Sequence, residues 1–285
     1  MSRGSHAESV CTSPRVEARR RWRCLACLLC AMSIVLSGIA CRYPQVRVVR
    51  IAARPSPPTT RLPPGRHDLG LGRAIYRGDL RDGTLYVPAQ AGAGTPVPLV
   101  VLLHGGGGAA RDFDYMFPIA DEFGVALLNL DARDNTWDGV DSPFGPDVQF
   151  IDETLRYTFA RVAIDPAHIA LGGHSDGGMY ALSVGRVNGD LFTHLIAVAP
   201  GFMVAPAPAV GMPRIFLAHG TRDTVYSVTG SRARLVPRLR ADGYDVIYHE
   251  FDGPHWMTPA VARAALRWFL EPRAATAASA ASPGR

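Results

Sequence analysis

The chain has 285 residues, 47% hydrophobic and 19% charged, enough for one large domain or two small ones with an ordinary globular core. It contains no Lys, and its formal net charge of +5 is concentrated near the start: residues 1–40 hold six Arg against Glu8 and Glu17. The nearly neutral remainder offers no basic face to a phosphate backbone, which argues against nucleic acid as a partner. All five Cys lie at positions 11, 24, 27, 30 and 41, so the region beyond them can hold no disulfide, Cys-ligated metal or thiol nucleophile.

The first segment has the layout of an export signal: Arg19-Arg20-Arg21, an apolar run from Cys24 to about Ala40, then small residues before Cys41. Ser37-Gly38-Ile39-Ala40-Cys41 resembles a bacterial lipoprotein processing site, in which Cys41 is lipidated and begins the mature chain. Gly38 stands where such sites usually carry Leu. A plain cleaved signal and an uncleaved anchor are the competing readings, although the run is short of the roughly 20 apolar residues of a full span. Residues 1–41 are therefore expected to be an export signal, with the membrane as a partner through the N-terminus only. Residues 42–67, with the Pro-rich run 54–66, are expected to be a semi-extended tether, because Pro lacks the N–H that helix and central strand need. The Ala- and Ser-rich stretch 272–285 is expected to be a disordered tail.

Between 68 and 271 short apolar runs alternate with amphipathic stretches. The segments 73–77 and 83–87 predict an antiparallel edge. Residues 98–103 predict a strand buried on both faces. A helix over 112–123, a strand over 125–130 and a helix over about 147–162 follow, the last with Phe150, Ile151, Leu155, Phe159 and Val162 on one side. Strands at 169–171, 195–199 and 214–218 come next, with a helix beginning just after Ser175. The pattern closes with a helix over 230–241, a strand over 246–251 and a helix over 259–270. Such alternation predicts an α/β fold, a mostly parallel sheet with helices on both faces and no large cap. In sheets of this kind reactive groups gather at the carboxyl ends of the strands.

At those ends four signals coincide. Gly173-His174-Ser175-Asp176-Gly177 stands between a predicted strand and a predicted helix, where a sharp turn would lift the Ser175 hydroxyl above the sheet. Ser175 could instead merely cap the helix, but a cap does not require the flanking glycines. His104-Gly105-Gly106-Gly107-Gly108 follows the strand 98–103 and suits an oxyanion hole, with one N–H from Gly106 or Gly107 and the other from Asp176. No Lys follows this run, so a nucleotide-binding loop is disfavoured. Ser needs a base to take its proton. Of nine His, His249 lies inside a strand, and His104 and His219 precede Gly at strand ends; His255, in the turn Asp252-Gly-Pro-His-Trp256, is the candidate. Asp223, at the end of His219-Gly-Thr-Arg-Asp223, is the candidate acid; Asp252 is its rival but would have to fold back across a Gly-Pro turn.

These motifs, with Asp131-Ala-Arg-Asp-Asn-Thr-Trp137 and Gly253-Pro-His255, resemble the α/β-hydrolase-fold serine esterases over about residues 70–271. The nearer likeness is to the phospholipase/carboxylesterase and dienelactone-hydrolase-like branch, adjoining feruloyl esterases and polyhydroxybutyrate depolymerases. Dienelactone hydrolases proper use Cys as nucleophile, from which Ser175 departs. The resemblance implies ester hydrolysis through an acyl-enzyme, a small-molecule ester as substrate, and no metal or organic cofactor. The order Ser, Asp, His along the chain is the one expected of this fold. The segment 131–147 is expected to wall the pocket, with Trp137, Phe144 and Trp256 as candidate substrate contacts, though the two Trp could equally be packing residues. A serine peptidase of the prolyl-oligopeptidase type shares this catalytic domain but carries a large extra N-terminal domain, and a non-catalytic binding protein would not need the whole set.

Overall fold

The computed structural model describes residues 49–272, apart from 75–79, 94 and 141. The export signal, Cys41, the beginning of the tether and the tail from 273 onward lie outside the described residues. No helix among the described residues is long and apolar enough to cross a membrane.

The strands are β1 (Gly65–Asp68), β2 (Arg73–Ala74), β3 (Leu80–Arg81), β4 (Gly83–Val87), β5 (Val97–Leu103), β6 (Ala126–Leu130), β7 (Ile164–His174), β8 (His194–Val198), β9 (Arg214–Gly220) and β10 (Val246–Phe251). Eight of them form one sheet in the order β1-β4-β6-β5-β7-β8-β9-β10. The strands from β6 to β10 in that order run parallel, while β4 and β1 are antiparallel at one edge. Strands β2 and β3 pair only with each other. The edge strand beside β4 is thus 65–68 rather than the predicted 73–77, because pairing is set by what lies alongside, which local composition does not encode.

Successive side chains of a strand face opposite sides of a sheet, and β5 shows the consequence. Leu99, Val101 and Leu103 join one core with α2 (Pro146–Phe159) and α3 (Asp176–Val187). Val100 and Leu102 join the other with α1 (Phe117–Phe123) and α4 (Pro259–Phe269). All of β5 from Leu99 onward is fully buried, as its unbroken apolar run requires.

Two predicted helices are divided, each at a proline. Residues 110–116 are a 3-10 turn, and α1 starts at Phe117 with Pro118 in its first turn. The stretch 228–241 runs as Val228–Gly230, a π turn at Ser231–Leu235, then Val236–Ala241. Pro118 and Pro237 lack the N–H that would continue the upstream ladder, so a new helical segment starts around each of them.

The tether ends earlier than its composition suggests. Ile51 and Ala53 are buried, Ile51 N–H donates to Asn188 Oδ1 at 2.8 Å, and the Ala52 and Ala53 N–H groups share Asp152 Oδ1. Further along, Thr59 N–H donates to the Ala160 carbonyl at 2.9 Å. The Pro-rich stretch is extended as expected, but the N–H groups of Thr59, Thr60 and Leu62 find carbonyl acceptors at Ala160 and Arg161 and hold it to the body.

Candidate active site

Ser175 stands between β7 and α3 with φ 54° and ψ −120°, a backbone conformation that side-chain-bearing residues rarely adopt. The turn is tight enough to exclude side chains around it. A Cβ on Gly177 would lie 2.0 Å from the Leu103 carbonyl oxygen, and one on Gly173 would lie 2.4 Å from the Gly177 backbone. The two glycines on either side of the serine are therefore demanded by close packing of strand and helix. Ser175 is left at the carboxyl end of the sheet, 7% exposed.

The other two expected side chains reach it from the ends of β9 and β10. His255 Nε2 lies 2.8 Å from Ser175 Oγ, and His255 Nδ1 lies 2.6 Å from Asp223 Oδ2. The imidazole is therefore seated between a hydroxyl and a carboxylate, in the order required to accept a proton from the one while being oriented by the other. Asp223 Oδ1 accepts the N–H groups of Val225 and Tyr226 at 2.8 and 2.9 Å. Burial by itself would raise the Asp223 carboxyl, but hydrogen bonds from His255 and from these two N–H groups outweigh it and hold the carboxyl below the usual range. The rival Asp252 is exposed and paired with Arg222.

His174 packs against this line, its ring 4.8 Å from that of His255 and 5.1 Å from that of Trp256. Burial, followed by the proximity of His255, lowers its pKa to about 4. It therefore adds no positive charge beside the base at neutral pH.

On the other side of the serine lies the loop His104–Gly108. The Gly107 N–H is already bound to the Asn135 carbonyl at 2.8 Å, which corrects the expectation that either Gly106 or Gly107 could serve an oxyanion. Gly106 is the remaining choice. Asp176 is the first residue of α3, whose N–H has no partner within the helix by geometry. His104 is a buried local strut, as its position before Gly suggests: Nδ1 lies 2.6 Å from the Gly105 carbonyl and Nε2 accepts Ala132 N–H at 3.0 Å.

The segment 131–147 does more than wall a pocket, since it ties the glycine loop to the serine turn. Trp137 Nε1–H donates to the His104 carbonyl at 2.8 Å, and Thr136 Oγ1–H donates to Asp176 Oδ2 at 2.6 Å. The segment is closed on itself by two buried carboxylates. Asp147 accepts the N–H groups of Arg133 and Asp138, while Asp138 accepts those of Gly145 and Asp147 and the Tyr180 hydroxyl. Burial, then repulsion from Asp138, raises the Asp147 carboxyl to about 7.

Trp137 is consequently 0% exposed and cannot touch a substrate, because its indole fills the space between His104 and Tyr180. Phe144 likewise stacks on Tyr180 inside the core. Trp256 differs, being 41% exposed beside His174. Thr136, Asn135 and the Asp138–Asp147 pair escape sequence reasoning because their partners belong to other loops. The one available signal was the crowding of polar residues directly after a strand, at 131–138. Among the described residues no group of three or more His, Cys, Asp or Glu is placed to hold a metal ion.

A parallel sheet that carries a strained serine at a strand–helix turn, with imidazole and carboxylate in line at the same rim, defines the hydrolase class of α/β proteins. The sequence profile of the Alpha/beta hydrolase family matches residues 100–284, and the chain belongs to that family. Among curated proteins it is 30% identical over 119 residues to one named "Putative esterase NocK" from Nocardia uniformis subsp. tsuyamanensis, a match covering 39% of this chain and 35% of that protein. The chain thus aligns with only about a third of that relative. Among solved structures it resembles esterase PE8, at 27% identity and TM-score 0.54, over 67% of this chain and 99% of that one. The Bacillus cereus carboxylesterase shares the fold at 18% identity and TM-score 0.51, over 66% of this chain and 93% of that one.

Proposed function

We propose that the chain is a carboxylic-ester hydrolase that works through an acyl-enzyme, with Ser175 as nucleophile, His255 as base and Asp223 as the acid that orients it. Ser175 Oγ attacks the ester carbonyl while its proton passes to His255 Nε2. The carbonyl oxygen, now negative, accepts hydrogen bonds from the N–H groups of Gly106 and Asp176. The tetrahedral carbon then expels the alcohol oxygen, which takes the proton back from His255. Water repeats both steps on the acyl-enzyme, releasing the acid and restoring the serine. Asp223 keeps the imidazole in the tautomer with Nδ1–H and stabilises its charged form without taking the proton.

The observation that carries this reading is the unbroken line of hydrogen bonds, 2.8 Å from serine to imidazole and 2.6 Å from imidazole to carboxylate. The named activities of NocK and esterase PE8 support ester rather than amide substrates. Small to medium esters are proposed, with Trp256 flanking the entering group. A panel of p-nitrophenyl esters should be hydrolysed by the wild type. Ser175→Ala should lower kcat by about 10⁵-fold or more, as removal of a serine nucleophile does elsewhere. A Ser175→Ala variant that keeps most of the activity would refute the mechanism, and turnover of peptide amides in preference to esters would replace the substrate class.

We further propose export with lipidation at Cys41, supported by the Arg-rich start, the apolar run and the small residues ahead of that Cys. Mass spectrometry of the mature N-terminus decides it. A diacylglyceryl Cys41 is the expected result, and a plain cleavage or an intact N-terminus would overturn it.

A further inference from the structure

A second imidazole lies against the carboxylate of Asp223. His219 Nε2 lies 3.0 Å from Asp223 Oδ2, the same oxygen that His255 Nδ1 approaches at 2.6 Å. His219 and the Asp223 carboxylate are both 0% exposed. The hydrogen bond of His219 Nε2 goes to the Tyr226 carbonyl oxygen at 2.9 Å, so Nε2 must carry a hydrogen, and Asp223 Oδ2 lies beside that bond as a close contact. His219 Nδ1 lies 2.8 Å from Ser231 Oγ, a buried hydroxyl free to donate. In the Nε2–H tautomer every polar atom of this ring is paired, and Ser231, the first residue of the π turn, selects that tautomer.

We propose that His219 is a positioning residue for the reaction: its Nε2–H, oriented by Ser231, holds the Tyr226 carbonyl and with it the turn whose N–H groups grip Asp223 Oδ1, leaving Oδ2 to meet His255. This rests on the acyl-enzyme reading of the same site. With Val225 and Tyr226 on Oδ1 and His255 on Oδ2, Asp223 accepts three hydrogen bonds, two of them from the turn that His219 secures through the Tyr226 carbonyl. Displacing the Tyr226 carbonyl would loosen the two bonds on Oδ1 together.

The other ionisable groups around this line are common to the wild type and the variants. His174 and Tyr226 lie beside His255, and Asp176 acts on Tyr226 and Asp112 on His174. From β10, Glu250 faces His219 in register and is held charged by Arg232 and Tyr248. Arg222 and Asp252 pair at the surface.

The test compares His219→Leu, His219→Gln and Ser231→Ala by full pH profiles of p-nitrophenyl acetate hydrolysis. His219→Leu removes the donor: kcat is expected to fall about tenfold or more, KM to stay within about twofold because a buried group touches no substrate, and the acid limb to move to lower pH, because a loosened carboxylate stabilises the protonated base less. In His219→Gln the amide nitrogen occupies the place of Nε2, so most of kcat and the wild-type limb should return. Ser231→Ala should shift both quantities in the direction of His219→Leu, by less. Equal losses in His219→Leu and His219→Gln with an unmoved acid limb would show that the ring only fills space and would overturn the proposal. Should His219→Leu not fold, a wild-type profile for Ser231→Ala does the same. Failure of the acyl-enzyme reading is recognised separately, by activity that survives in Ser175→Ala.

Discussion

Two loops leave the same rim of the sheet, each with a tryptophan at hand for a substrate, and they use it in opposite ways. After β6, Trp137 is fully buried and its N–H is spent on the His104 carbonyl. After β10, Trp256 is 41% exposed and leans on His174. What separates them is how each loop satisfies its backbone. The first closes on itself through Asp138 and Asp147, which accept N–H groups at 133, 138, 145 and 147, and this fold-back carries its aromatics into the core. The second is a short Gly-Pro turn with no such closure, and its aromatic stays at the mouth of the site. A tryptophan near a reactive centre is therefore a strut or a contact according to the hydrogen bonding of the loop beneath it.

The contrast can be broken by substitution. Trp137→Ala should cost about 4 kcal/mol of stability, the usual scale for removing a buried large aromatic, and should depress kcat as the glycine loop loosens. Denaturant unfolding measures the first effect, and a loss below about 1 kcal/mol would show that the indole does not brace the loop. The Asp147 carboxyl is raised to about 7, chiefly by burial and then by Asp138. A raised folded-state pKa means that the protonated form is favoured by folding. The corresponding stability is full below the unfolded value near pH 4 and is lost as pH rises through 7, on the order of a few kcal/mol. Melting followed from pH 4 to 8 should show that decline in the wild type. Asp147→Asn should be destabilised at low pH, because one backbone N–H loses its acceptor, yet show a flatter profile; an unchanged slope would mean that another group carries it.

Smaller effects sharpen the distinction. Thr136→Val removes the hydroxyl that grips Asp176, and kcat should fall several-fold, about 1 kcal/mol in barrier, with the unfolding midpoint nearly unchanged. Trp256→Ala should alter stability by less than about 0.5 kcal/mol, since the side chain is largely at the surface, while raising KM for aryl esters several-fold. If KM does not move, Trp256 is not part of the site.

Much of this site was legible without coordinates, and for a local reason. A serine flanked by glycines between strand and helix is a short-range pattern, and Ser175 occupies the strained turn it implies. Asp223 and His255 could be chosen because strand ends share one rim, and the hydrogen bonds at 2.6 and 2.8 Å bear out that shared placement. The choice between Gly106 and Gly107 was not legible, because it turns on the Asn135 carbonyl from another loop. Nor was the setting of His219: adjacency to a glycine suggested a local strut, but its hydrogen-bond partners are the Tyr226 carbonyl and the distant Ser231.

By itself the sequence determined the parallel sheet, its two-sided burial and the rim at which chemistry would gather, since apolar runs and glycine turns act through nearest neighbours. Only the tertiary structure decided which strand covers the antiparallel edge, where the Pro-rich stretch docks, which tryptophan is hidden and what His219 holds. Those outcomes depend on hydrogen bonds and packing between segments tens of residues apart, where a partner exists only once the chain has folded.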